Sequence, residues 1–215
     1  MEKHKICAVI FDMDGVIVDS EYVYMQYILA FVQKKNPSVT MEEIHPIIGL
    51  SSEASWGIVE KAVANGQSGM ELLREFRGLD IYSQINYNDI FRADTLTTAK
   101  ELHRRGMKVA LASSTGPRLI ARIVEDTGMR PEFDLIVSGN QFRQSKPNPE
   151  IYHYTAATLG IPEEQCFVVE DSTVGIQAAK NAGMTVAAYQ DDRFGFDQSA
   201  ADYHITSISE ILKYL

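Results

Sequence analysis

The amino-acid sequence predicts an α/β fold: a doubly wound parallel sheet with a Rossmann-like core and a small helical cap inserted after the first strand. Short apolar runs alternate with helical patterns from about residue 92 to the end of the chain. These runs are continuously apolar, which is typical of parallel strands covered on both faces. A further run of this kind, residues 6–11, is separated from the others by a long segment that has only helical signals.

The segment after the first strand is predicted to be helical. Between Met25 and Val32, apolar residues recur at i, i+3, i+4 and i+7, the spacing of one helix face. Thr40 and Glu43 have the spacing of a capping box, which marks the start of a helix. Two further helical patterns cover residues 52–64 and 69–87. We therefore expect a helical cap domain at 20–89 and a core domain built from 1–19 and 90–215.

The core domain is predicted to continue as alternating strands and helices. The expected strands are residues 108–113, 135–137, 167–169, 185–189 and 203–205. Helices are expected between them, and two carry terminal signals: Pro117 opens a helix closed by Gly128, and Pro149 opens one that stops near Gly160. A third is expected at 173–183. This order of elements is that of a doubly wound sheet.

Composition excludes several classes of function. The formal net charge is -9 and basic residues do not cluster, so we expect no nucleic-acid partner, although a small anionic substrate is possible beside a metal ion. No apolar run approaches the ~20 residues of a membrane span, and no secretory signal is recognised. Cys7 and Cys166 lie in strand-like runs, which indicates buried thiols and a cytoplasmic location. The histidines show no zinc-site spacing, and nothing indicates an oligomeric state.

The most informative stretch follows the first predicted strand. Asp12 and Asp14 lie two residues apart just beyond it, and Gly15 allows the chain to turn at once. Ligands of open α/β sheets bind at this carboxyl edge, so both carboxylates can project into a binding crevice. The alternative is a polar junction where the aspartates only cap a turn, and the pattern alone would favour that reading.

Other polar residues follow later strands or precede helices. Ser113 and Ser114 end one strand, Lys146 lies shortly before Pro149, and Glu170 with Asp171 ends another strand. Singly, each is as easily a helix cap or a solvated surface residue. Because strand ends of a parallel sheet meet at one edge, the four groups together predict a single site.

This ordered set resembles the haloacid dehalogenase superfamily, within it the branch of β-phosphoglucomutase and small sugar-phosphate phosphatases. The resemblance rests on Asp-x-Asp-Gly-Val at 12–16, Lys-Pro-x-Pro-Glu-Ile-Tyr at 146–152 and Glu-Asp-Ser-x-x-Gly-Ile at 170–176. It implies that Asp12 is a nucleophile and Asp14 the general acid/base. By the same resemblance Ser113, Ser114 and Lys146 bind the phosphoryl group. The implied Mg²⁺ site consists of Asp12, Asp14, Glu170 and Asp171.

These implied roles agree with the chemistry of phosphoryl transfer, which needs positioning and neutralisation of anionic oxygens. A carboxylate that attacks phosphorus forms an aspartyl-phosphate and divides one difficult step into two. Magnesium with oxygen ligands, together with Lys146, can offset the repulsion between Asp12 and an anionic phosphate. The expected function is thus a Mg²⁺-dependent phosphohydrolase acting on a small phosphate ester, with a sugar phosphate as the expected class.

Three departures from the family pattern bear on the substrate. The mutase branch has Gly-x-Ser-Arg in a cap loop, but this chain has Ser52 in place of the arginine that grips a second phosphate. Tyr24 stands where a histidine is usual, and Ala93-Asp94 replaces a Pro-Gly pair. These differences favour hydrolysis, with a β-phosphoglucomutase-type activity as the alternative and a non-catalytic phosphate-sensing module as a weaker one.

Two further activities of the superfamily are disfavoured. Dehalogenases lack the second aspartate, which is present here as Asp14, and phosphonate hydrolases need a cap lysine, for which Lys61 is the best candidate. Lys61 has the pattern of a solvated helix residue. The candidates for the substrate rim are Tyr22, Tyr24, Trp56 and the loop Gly49 to Ser52, although an aromatic residue at these positions is as readily part of the cap core.

Overall fold

The computed structural model describes residues 5–48 and 52–215, and the side chain of Ser52 is outside the description. Over these residues the chain divides into two compact units. The α/β unit comprises Met1–Asp19 and Tyr87–Leu215, and the helical unit comprises Ser20–Asn86.

The α/β unit is built on a parallel sheet of six strands among the described residues. The strands are β1 Ala8–Phe11, β2 Lys108–Ser113, β3 Leu135–Ser138, β4 Cys166–Glu170, β5 Thr185–Tyr189 and β6 Tyr203–Ile205. Their order is β3-β2-β1-β4-β5-β6. The strands β2 and β3 therefore lie on one side of β1, and β4, β5 and β6 lie on the other side. This reversal creates a crevice at the carboxyl ends of β1 and β4, where ligands of such sheets bind.

Helices connect the strands of the α/β unit. They are α6 Asp94–Arg104, α7 Pro117–Asp126, α8 Glu150–Leu159 and α9 Thr173–Asn181, with short 3-10 helices at Tyr87–Ile90, Arg130–Glu132, Gly139–Gln141, Glu163–Gln165 and Ile208–Lys213. Both faces of β1 are buried: Ile10 belongs to the same apolar cluster as Tyr152 of α8 and Ile176 of α9, and Val9 on the opposite face has no solvent exposure. Burial on both faces explains why these strands are continuously apolar.

The helical unit has its own apolar core. Its helices are α1 Ser20–Gln33, α2 Met41–Ile44, α3 Ser52–Val63, α4 Gly69–Arg77 and α5 Ile81–Gln84, with a 3-10 helix at His45–Ile47. Phe31, Trp56 and Phe76 pack with ring centroids 5.3–6.0 Å apart, within the range of favourable aromatic contacts. Thr40 and Glu43 form the predicted capping box. Among the helices of the described residues, none is long and apolar enough to cross a membrane.

Two predicted elements differ from the structure. The continuous helical pattern at 69–87 is divided, because α4 ends at Arg77 with Gly78 as its C-cap, and Asp80 adopts a left-handed backbone conformation with φ 44°. Pro149 does not lie within its helix; it occupies the N-cap position, and α8 begins at Glu150. Gly160 ends that helix with φ 70°, as its predicted stop position requires.

Candidate active site

The loop after β1 places Asp12 at the centre of the sheet edge. The Asp12 amide donates to the Val169 carbonyl of β4 at 2.9 Å. Asp12 is therefore the first residue after β1 and is still anchored to β4 through its backbone. Gly15 has φ 77°, and a Cβ atom there would lie 1.9 Å from Asp171 Oδ2. Only glycine therefore fits between the turn and the Asp171 carboxylate.

The loop after β4 supplies the other carboxylates. Glu170 is the last residue of β4, Asp171 follows it, and both are buried. The Ser172 hydroxyl caps α9 by accepting from the Gly175 amide. A Cβ atom on Gly175 would lie 2.0 Å from the Glu170 carboxyl carbon, so this glycine lets the helix approach Glu170.

Three buried carboxylates converge from these two loops. Asp12, Glu170 and Asp171 each offer an oxygen atom, and these atoms all lie within 4.8 Å of one another. Buried like charges at this separation are costly unless a cation offsets them. Carboxylate oxygens are the ligands that Mg²⁺ prefers, so the group fits a divalent metal ion.

Lys146 is the cation that the structure places in this group. Its Nζ donates to Asp12 Oδ1 at 2.5 Å, to Glu170 Oε1 at 2.6 Å and to the Ala112 carbonyl at 3.1 Å. Its side chain is only 5% exposed. Burial alone would lower the pKa of Lys146, but Asp12 and Glu170 outweigh it and hold this pKa well above its usual value. Lys146 is thus a fixed positive charge beside Asp12.

Glu170 is held by more donors than any sequence pattern indicates. Its Oε1 accepts from Lys146 and from the Tyr152 hydroxyl at 2.7 Å, and its Oε2 accepts from the Asp171 amide and the Ser172 hydroxyl, both at 3.2 Å. Burial, with the adjacent Glu170 carboxylate, raises the pKa of Tyr152 well above its usual value, so this hydroxyl remains a donor. The arrangement orients Glu170 toward Lys146.

The protonation of Asp12 depends on its surroundings. Burial raises the pKa of Asp12 to about 8, Lys146 opposes this shift, and the neighbouring Glu170 and Asp14 add to it. A divalent cation would act in the same direction as Lys146 and favour the charged carboxylate. The charged form of Asp12 is therefore favoured by positive charge in the site.

The loop after β2 reaches the same edge through hydroxyl groups. Ser113 is fully buried, and its hydroxyl accepts from the Thr115 amide at 3.0 Å, whereas Ser114 is exposed. The Thr115 hydroxyl donates to Asp14 Oδ2 at 2.7 Å, and its carbonyl accepts from the Ser138 hydroxyl. The loop therefore connects Ser113 to Asp14, and the contact with Ser138 joins it to β3.

The structure corrects the prediction that Trp56 lies on the substrate rim. Its side chain is 4% exposed and packs against Phe31 and Phe76 in the core of the helical unit, because a large aromatic ring there is needed to fill that core. Tyr24 is partly buried, stacks on Tyr82 at 5.9 Å and contacts Phe76 edge-on.

The other rim predictions have different outcomes. Tyr22 is 43% exposed. Lys61, which was not a rim candidate but the possible cap lysine, is exposed on α3, as its sequence pattern indicates. Gly49 lies outside the described residues, as does the side chain of Ser52. The assignment of Tyr24, Gly49 and Ser52 to the substrate rim stays a prediction.

Two residues of the site had no role in the sequence-based prediction. Thr115 holds Asp14, and Tyr152 holds Glu170. Tyr152 ends the second motif, six residues after Lys146, whereas Thr115 lies outside the three motifs, two residues after Ser113. Tyr152 lies on the buried face of α8.

Comparison with known proteins agrees with this geometry. Residues 9–189 match the family described as haloacid dehalogenase-like hydrolase. The chain belongs to this family. The superfamily recognised from the three motifs and the predicted α/β fold are thus confirmed, and the protein is an enzyme of the haloacid dehalogenase-like hydrolases.

Its relatives include named phosphatases. A phosphorylated carbohydrates phosphatase of Thermotoga maritima is 28% identical over 179 residues, covering 82% of this chain and 82% of that protein. The fructose-1-phosphate phosphatase of Escherichia coli is 27% identical over 184 residues, covering 84% and 94%. The crystal structure of β-phosphoglucomutase from Clostridium difficile has the same fold, with a TM-score of 0.72, 21% identity and coverage of 97% and 95%.

Proposed function

We propose that this haloacid dehalogenase-like enzyme is a Mg²⁺-dependent phosphatase of small phosphate esters, with sugar phosphates as the substrate class. The observation that carries the proposal is the buried contact of Lys146 with both Asp12 and Glu170 beside Asp171. A carboxylate nucleophile needs adjacent positive charge to approach an anionic phosphate, and this arrangement supplies it. The named relatives from Thermotoga maritima and Escherichia coli support the substrate class.

Asp12 is the proposed nucleophile. Its Oδ1 is held by Lys146 at the carboxyl end of β1, which fixes the direction of the carboxylate. Attack on phosphorus forms an aspartyl-phosphate on Asp12 and breaks the bond to the leaving oxygen. Water then attacks the same phosphorus and regenerates the carboxylate, so that one inorganic phosphate is released per ester.

Asp14 is the proposed acid/base. The Thr115 hydroxyl fixes its orientation by donating to Oδ2. Asp14 gives a proton to the leaving oxygen in the first step and accepts one from the attacking water in the second. Asp14 therefore returns to its initial protonation state at the end of each catalytic cycle.

The metal and phosphoryl contacts complete the proposal. Asp12 and Asp171 would hold Mg²⁺ with the Asp14 carbonyl, and Glu170, already bonded to Lys146 and Tyr152, would contribute through water. When bound, Mg²⁺ offsets the carboxylate charge and polarises a phosphoryl oxygen. The Ser113 hydroxyl, an acceptor from Thr115, can donate its own proton to the phosphoryl group, with Ser114 adjacent.

The two free cysteines, Cys7 and Cys166, agree with the proposed cytoplasmic location.

Phosphate release from a panel of small phosphate esters tests this proposal. We expect release with Mg²⁺ and loss of release on chelation, because three buried carboxylates are then left with Lys146 as their counterion. The panel should contain hexose and pentose phosphates beside non-sugar esters of equal charge. Release that is unaffected by complete metal removal, or absent for every ester, would contradict the proposal.

Hydrolysis is expected to dominate over transfer between two positions of a sugar. The reason is Ser52, which stands in place of the arginine that holds a second phosphate in the mutase branch. The measurement supplies β-glucose 1-phosphate with glucose 1,6-bisphosphate as primer and follows phosphate and glucose 6-phosphate together. Phosphate release should be the faster process. Glucose 6-phosphate formation that outpaces it would identify a mutase.

A further inference from the structure

Two backbone carbonyls beside the carboxylate group accept hydrogen bonds from side chains that none of the motifs contains. The Gly15 carbonyl, directly after Asp14, accepts from Arg92 Nε at 3.3 Å. The Asp171 carbonyl accepts from Gln198 Nε2 at 2.5 Å. Each contact therefore acts on the backbone of a loop that carries proposed metal-binding residues.

Gln198 spans two loops with one amide group. Its Nε2 also donates to the Tyr189 carbonyl at 2.8 Å, at the end of β5. A primary amide has two N–H donors, so both can be used at once. Gln198 thereby ties the loop after β4 to the end of β5, although it lies far from the motifs in the sequence.

Arg92 reaches the same tyrosine from the other side. Its Nη1 donates to the Tyr189 hydroxyl at 3.0 Å, and the guanidinium lies 4.3 Å from the centre of that ring. Its Nη2 lies 3.7 Å from the Asp19 carboxylate and 3.8 Å from the Asp191 carboxylate, close enough for electrostatic attraction but beyond hydrogen-bond distance. The two side chains, Arg92 and Gln198, thus meet at Tyr189.

We propose that Arg92 and Gln198 form a bracket, joined at Tyr189, that positions the cation site of this enzyme. They are positioning residues, because they contact backbone carbonyls and are not themselves proposed to contact the metal ion or the substrate. The two loops they hold need support: Gly15 packs directly on the Asp171 carboxylate, and both loops carry negative charge. A bracket that fixes their spacing lowers the ordering cost of cation binding. This inference rests on the proposed metal dependence and deepens it.

The test measures Mg²⁺ binding at equilibrium, by calorimetry on the full chain without substrate. Gln198→Met keeps the length of the side chain and removes both donors. We expect its Mg²⁺ dissociation constant to rise about tenfold, as for other groups that orient metal ligands. Gln177→Met is the matched control: Gln177 lies exposed on α9, bonded to Asn181, and should bind Mg²⁺ as the wild type does.

A second readout separates positioning from a general loss of stability. The Mg²⁺ concentration for half-maximal activity should rise in Gln198→Met while kcat at saturating Mg²⁺ stays near the wild-type value. Gln198→Glu, which places a carboxylate against two carbonyl oxygens, should weaken binding at least as much. Gln198→Glu also tests the proposal if Gln198→Met does not fold. Arg92→Met should shift Mg²⁺ binding in the same direction.

The outcomes distinguish this inference from the proposed function. Wild-type protein that binds no Mg²⁺ would overturn both. Wild-type protein that binds Mg²⁺ and hydrolyses esters, with a Gln198→Met dissociation constant within about twofold of it, would overturn the bracket alone. A lower Tm with unchanged Mg²⁺ affinity would likewise reduce Gln198 to a structural residue.

Discussion

Replacing Asp12 by Asn is expected to reduce ester hydrolysis to background. The amide keeps the shape of the side chain but cannot form the aspartyl-phosphate, so no slower route through the same residue remains. The loss should be in kcat, because Lys146 and Ser113 can still hold the phosphoryl group. Since the change removes one of three clustered carboxylates and leaves Lys146 paired with Glu170, the Tm of this variant should stay near that of the wild type.

The matched control for this result is Asp126→Asn. Asp126 is an exposed aspartate at the end of α7, paired with Arg122 at 3.3 Å on the same helix. This variant should hydrolyse esters at the wild-type rate. Substantial turnover by Asp12→Asn on a good substrate would mean that another group attacks phosphorus.

Replacing Lys146 by Met is expected to remove both activity and much of the stability. The side chain is 5% exposed, and its removal leaves Asp12 and Glu170 buried without their shared counterion. Breaking a buried ion pair from one side typically costs about 3–5 kcal/mol in the free energy of unfolding. The deficit should shrink as the pH falls, because protonated carboxyl groups no longer need a counterion. Denaturant unfolding at two pH values measures this.

Lys108→Met is the control for that loss. Lys108 pairs with Asp134 at 2.7 Å, a separation similar to that of the buried pair, but its side chain is 54% exposed. Exposed pairs are screened by water, so its removal should have a small effect on stability and none on turnover. Equal losses of stability and turnover in the two variants would show that the buried contacts of Lys146 contribute no more than an exposed ion pair.

Much of the fold could be predicted from local patterns. The continuously apolar strands, the capping box at Thr40 and the end of α8 at Gly160 depend on residues that are neighbours in the sequence. The break between α4 and α5 was missed, because Asp80 in a left-handed conformation has no strong sequence signal. Trp56 was placed on the rim because an aromatic residue in a helical pattern does not reveal which face it occupies.

The site was predictable only in part, for a related reason. Motif spacing indicated that Asp12, Lys146 and Asp171 share one edge of the sheet, since parallel strands end together. Which partner each side chain selects is a tertiary property. The contacts of Tyr152 with Glu170, and of Gln198 with the Asp171 carbonyl, join segments whose packing the strand and helix patterns do not specify.

The measurement that tests the nucleophilic role of Asp12 most directly uses Asp14→Asn. In this variant Asp12 can still attack p-nitrophenyl phosphate, whose leaving group needs little protonation, but water lacks its base in the second step. We expect a burst of p-nitrophenol in rapid-quench kinetics, and an intact mass increased by one phosphoryl group on the peptide that contains Asp12. The double variant with Asp12→Asn should show neither. No burst and an unchanged mass, or a phosphoryl group on a peptide without Asp12, would contradict an aspartyl-phosphate mechanism at this residue.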